Sequence, residues 1–123
     1  MDEGPAIYAG CSRGAFLGAT IGPANPARFP RLVLVEGGHD PWTHANVKRF
    51  ADGGGKRVLF ACGQGGCFEA AKEKARLLKA AGVEASVAYA PFMGHMCHDR
   101  VAEETKRAMP WLLAGDARWE EVM

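Results

Sequence analysis

The chain has 123 residues, 48% of them apolar and 24% charged, with a formal net charge of +1, which is the composition of one globular domain and not of a disordered chain. Charges of both signs are interspersed, so there is no basic stripe for nucleic acid and no acidic tail. No apolar run reaches the length of about 18 residues that a membrane span needs, and four cysteines (Cys11, Cys62, Cys67, Cys97) are too few for a disulfide scaffold.

Residues 5–9, Pro-Ala-Ile-Tyr-Ala, read as a buried strand, and residues 13–21, mostly small and apolar, as a helix buried on most sides. Gly22 followed by Pro23, Pro26 and Pro30 then predicts a loop. Residues 31–35 form a β-branched run and a second strand. Thr43 is placed to cap a short helix whose Ala45, Val47, Phe50 and Ala51 face inward, and Gly53-Gly54-Gly55 ends it. Residues 56–61 predict the third strand. In residues 68–81, Phe68, Ala71, Ala75 and Leu78 recur at helical steps, and Gly82 follows as a left-handed cap. Residues 84–90 alternate as a fourth strand. A last helix runs from Asp99 or Arg100 to about Leu113 and is disturbed near Pro110; residues 118–123 stay unassigned. The order β-α-β-α-β-α-β-α predicts an α/β fold, a parallel sheet of about four strands joined by right-handed crossovers with flanking helices. Ligands of such sheets bind at the C-terminal strand ends.

Two strand ends carry groups suited to nucleophilic catalysis. After the first strand stands Gly10-Cys11-Ser12-Arg13-Gly14, a G-x-S-x-G sequence between a strand and a helix. A sharp turn there lifts the Ser12 hydroxyl above the sheet. The flanking glycines avoid clashes, and the Arg13 N–H at the helix start can donate to an oxyanion. Cys11 is not the central residue of this turn, so its side chain is expected to pack. After the fourth strand comes Pro91-Phe92-Met93-Gly94-His95. An imidazole at that place can take the serine proton and return it to a leaving group; His98 competes with His95 for the role.

The serine turn, the Gly94-His95 loop and their order along the chain resemble the α/β-hydrolase family from its nucleophile elbow onward. The resemblance covers nearly the whole chain and implies a catalytic triad. Ser12 is then the nucleophile of a serine esterase that cleaves a carboxylic ester or related acyl bond through an acyl-enzyme. His95 is its base, Arg13 part of its oxyanion hole, and a small acyl compound its substrate. No cofactor and no metal are expected. The family's usual acid position, after the third strand, reads Cys62-Gly63-Gln64-Gly65-Gly66-Cys67 and has no carboxylate. The preceding strand end, Glu36-Gly37-Gly38-His39-Asp40, offers Glu36 at the strand end itself, or Asp40. The family's first strands have no counterpart here, so residues 1–123 are expected to form one partial domain. Its first strand is then a bare sheet edge or is covered by a second copy or a partner chain. A catalytically inactive fragment or binding scaffold on the same fold is the alternative function.

Other groupings point elsewhere. Cys62, Cys67, Cys97 and His98 do not have a usual zinc spacing. Cys62 and Cys67 flank a glycine turn and could form a local disulfide. The Gly63–Gly66 loop lacks the lysine-and-hydroxyl ending of a phosphate loop and is expected to be a tight turn. Trp42, Trp111, Trp119 and Phe92 are candidates for an acyl pocket or for core, and core is expected of Trp111.

Overall fold

The computed structural model describes residues 5–91 and 99–115, the side chains of 99 and 100 excepted. Its elements are β1 (Ile7–Cys11), α1 (Arg13–Ala24), β2 (Arg31–Val35), α2 (His44–Asp52), β3 (Arg57–Cys62), α3 (Gly65–Ala80), β4 (Glu84–Tyr89) and α4 (Asp99–Leu113). The strands form one parallel sheet in the order β1-β2-β3-β4, as the alternating pattern predicts. Strands added one after another in one direction, with one crossover hand, put their connecting helices on one face. α1, α2 and α3 lie there, over a core of Leu32, Leu34, Val58, Phe60, Phe50 and Leu78. α4 covers the other face, where Val33, Leu59 and Leu112 meet and Ala61 packs on Val101. Alternate residues of β2 and β3 therefore serve opposite layers, which is why both strands read as unbroken apolar runs. Among the described residues no helix is long and apolar enough to cross a membrane.

Several boundaries differ from expectation, each for a local reason. β1 runs two residues further than predicted, to Cys11, because its ladder with β2 continues through Cys11↔Val35. α1 continues through Gly22 and Pro23. Pro23 has no N–H to give the Ala19 carbonyl, yet the Asn25 N–H still closes the helix on the carbonyls of Ile21 and Gly22. Gly22 belongs in that helix for packing, since a Cβ there would meet Leu32 Cδ1 at 2.7 Å. In α2, Thr43 caps the helix as expected, its hydroxyl accepting from the Asn46 N–H at 3.2 Å. Val47 and Phe50 are buried, but Ala45 is exposed, because helical phase puts it on the side opposite the Val47, Phe50 and Ala51 stripe. α3 starts three residues earlier than its apolar stripe, at Gly65, which draws Cys67 into the first helical turn. Gly82 has φ 92, the left-handed conformation expected of it.

Trp42 and Trp111 are structural. Trp42 is fully buried, edge-on to Phe50 with ring centroids 5.4 Å apart. Trp111 packs beside the Val33–Leu59–Leu112 layer under the Arg57 guanidinium, 5.3 Å from the ring centroid. Trp119 and Phe92 lie outside the described residues.

Candidate active site

At the C-terminal end of the sheet the register continues past the strands. The Ser12 N–H donates to the Val35 carbonyl and the Glu36 N–H to the Ala61 carbonyl, both at 2.8 Å. Ser12, Glu36 and Cys62 thus follow the paired row Cys11, Val35 and Ala61, on strands spaced about 4.8 Å apart. Two of these three have backbones that ordinary residues avoid. Ser12 sits at φ 57, ψ −112 between strand and helix, and Glu36 has φ 51. Each such residue costs about 1–3 kcal/mol, and this strain collects at functional sites. Among the described residues these are the non-glycine positions with positive φ.

The turn at Ser12 depends on one of its two glycines. A Cβ on Gly10 would lie 2.4 Å from the Gly14 carbonyl, so β1 and the start of α1 can cross there only without a side chain. At Gly14 a Cβ meets no described atom within 4 Å, so the expectation that both glycines prevent clashes holds only for Gly10. The Gly14 carbonyl instead accepts from the Tyr8 hydroxyl at 2.8 Å, which braces the helix start against β1. Arg13 is the first residue of α1, in the turn whose N–H groups have no acceptor within the helix. Cys11 is disulfide-bonded and not simply packed, a correction to the sequence reading.

The Glu36 loop is built against this turn. A Cβ on Gly37 would stand 2.9 Å from the Ser12 carbonyl oxygen, and one on Gly38, at φ 78, 2.7 Å from that of Ala15. Side chains at either place would push the two strand ends apart. Glu36 is buried, at 4% exposure. One carboxylate oxygen accepts from the Gly63 N–H at 2.7 Å and the other from Gln64 Nε2 at 3.0 Å. Both donors come from the loop after β3, which itself carries no carboxylate, so that loop holds an acid supplied by its neighbour. Asp40 is exposed.

Ser12, Arg13, Phe16, Glu36, His39 and Asp40, with the two loop glycines between, line a cavity of about 330 Å³. A larger hollow of about 430 Å³, bordered by Lys79, Val83, Ser86 and Trp111, lies at the opposite end of β4. That is the N-terminal strand end, away from where parallel sheets bind ligands.

His39 was not legible as a site residue in the sequence. It is half-buried, its ring tilted on Phe60 with centroids 5.9 Å apart, and its Nε2 lies 3.6 Å from Cys67 Sγ. Burial lowers its pKa from the usual 6.5; Asp40 and Glu36 oppose that shift and Lys74 adds to it. The only hint in the sequence was its place three residues after a strand-end carboxylate. Cys62 and Cys67 form a disulfide, with Cα atoms 5.6 Å apart. His95 and His98, the two candidate bases, lie outside the described residues. No protein-family model, curated protein or solved structure matches this chain.

Proposed function

We propose that the chain is a serine hydrolase that cleaves a carboxylic ester or related acyl bond, with Ser12 as nucleophile, His95 as base and Glu36 as the acid that orients it. The observation that carries this reading is the strained Ser12 turn, packed against the loop that follows the buried Glu36 and sharing a cavity with that residue. In this reaction the Ser12 oxygen attacks the acyl carbon while His95 takes its proton. The negative oxygen that develops faces the Arg13 N–H at the start of α1, where the helix dipole adds to the hydrogen bond. His95 then protonates the leaving alcohol, and water repeats the sequence to release the acid. Glu36 keeps the imidazole in the right tautomer and stabilises its charged form. The fixing of both its oxygens by Gly63 and Gln64 suits that task, because an orienting acid must not rotate.

His39 supports a second assignment of the base, since it lines the same cavity as Ser12. Turnover of a short-chain aryl ester separates the possibilities. The expected outcome is hydrolysis by the parent chain, loss in Ser12→Ala and His95→Ala, and persistence in His39→Ala. Loss in His39→Ala with persistence in His95→Ala transfers the role of base to His39. Absence of turnover in the folded parent chain favours a binding scaffold.

A further inference from the structure

Beside the Ser12 cavity lie three groups that the assignment of Ser12, His95 and Glu36 does not use, His39, Cys62 and Cys67. Their ligand atoms all lie within 4.8 Å of one another. They come from three different places: the loop after β2, the buried end of β3 and the first turn of α3. A tetrahedral zinc ion, with Zn–S of about 2.3 Å and Zn–N of about 2.0 Å, sets nitrogen and sulfur about 3.5 Å apart. The His39 Nε2 and Cys67 Sγ already stand at 3.6 Å. The same geometry sets two thiolate sulfurs about 3.8 Å apart, a separation no disulfide permits. The Cα atoms of Cys62 and Cys67, 5.6 Å apart, leave room for it. Cys67 lies where the N-terminus of a helix favours a thiolate over a thiol, and packing on Phe60 holds the imidazole in place.

We propose that the reduced chain binds one Zn²⁺ through Cys62, Cys67 and His39, with water in the fourth position, and that the disulfide is the oxidised, metal-free state of the same site. An external dithiol supplies two electrons and two protons to the disulfide and is itself oxidised to a disulfide. Zinc binding then releases the two thiol protons to solvent. His39 also lines the Ser12 cavity, so the ion sits at its wall. Cysteine spacing alone conceals this site, because its third ligand comes from a strand end well before Cys62.

Cobalt(II) is the probe, since its tetrahedral thiolate complexes show near-ultraviolet charge-transfer bands and strong visible bands. The full chain is reduced with a phosphine without oxygen and titrated, as is Cys11→Ser/Cys97→Ser, in which only Cys62 and Cys67 can supply thiolates. The expected result is both bands at one equivalent of Co²⁺ in either protein, bleached by Zn²⁺ and absent from the oxidised chain. His39→Ala should weaken binding by at least about tenfold and alter the visible bands, and Cys67→Ser should diminish the charge transfer. A reduced chain with native circular dichroism and no charge-transfer band overturns the proposal. So do bands that survive unchanged in His39→Ala, and a chain that unfolds on reduction and is not refolded by Zn²⁺. The readout involves no ester, so its failure leaves the Ser12 reading standing, and the reverse holds too.

Discussion

The two ends of the sheet are built on opposite principles. At the N-terminal end, two arginines fasten a helix. Arg31 is buried at 6% exposure and donates from Nε to the Leu112 carbonyl at 2.8 Å and from Nη2 to that of Ala114 at 3.2 Å. Arg57 donates to the Trp111 carbonyl and pairs with Glu84 at 2.6 Å. Two arginines thus satisfy the carbonyls at the end of α4, where the helix dipole is negative, and help a helix containing Pro110 to keep its last turn. At the C-terminal end the backbone is strained at Ser12 and Glu36, the loops are glycine-rich, and a buried carboxylate is held in a cavity wall. One end spends its polar groups on stability; the other accepts strain to present them. A polar group's value to the fold and its value to chemistry can therefore be measured separately in this chain.

The sharpest break between the ends should come from Ser12→Ala. It is expected to remove ester turnover, by about 10⁶-fold if the serine acts as nucleophile, and to leave the urea midpoint unchanged or raised. Glu36→Gln comes next. A glutamine can accept from the Gly63 N–H while Gln64 turns its amide oxygen over, so the fold should lose less than about 1 kcal/mol. Turnover should fall about 10³- to 10⁴-fold, because a neutral amide cannot stabilise an imidazolium. Steady-state kinetics beside equilibrium unfolding checks both numbers on one preparation.

Arg31→Met should do the reverse. It removes two charged-donor hydrogen bonds to α4 and should cost about 2–4 kcal/mol in urea unfolding, with kcat of the folded fraction unaltered. A large fall in kcat with no loss of stability would erase the distinction between the ends. The smallest effect concerns pH. Burial holds His39 neutral in the folded chain below its usual 6.5, so between its folded pKa and 6.5 the unfolded chain binds more protons. Stability should therefore be full above 6.5 and decline as pH falls from there to the folded pKa. His39→Gln should flatten that part of the curve, measured as the unfolding midpoint against pH.

Much of this contrast was legible in the sequence, though unevenly. β2 and β3 were readable because strands buried on both faces need apolar residues throughout, and their core residues are those of the predicted runs. The Gly10–Gly14 turn was readable because a sharp strand-to-helix turn restricts residue choice at Gly10. The start of α3 was missed because Gly65 and Gly66, both exposed, have poor helix propensity and add nothing to the apolar stripe. Missing that start also hid the placement of Cys67. The holding of Glu36 by Gly63 and Gln64, and the approach of His39 to Cys67, join loops from neighbouring strands. Such contacts are set by strand order and register, which the chain does not spell out locally. The buried role of Arg31 was hidden likewise, because its partners lie some eighty residues away.

The chemistry proposed for the C-terminal end of the sheet turns on the strained serine after β1 acting as a nucleophile. A fluorophosphonate probe, followed by tandem mass spectrometry of the labelled peptide, tests it most directly. One phosphonyl group is expected, located on Ser12, with no labelling after heat denaturation. A folded chain that takes up no probe, or that carries it on another residue, shows that Ser12 is not a nucleophile.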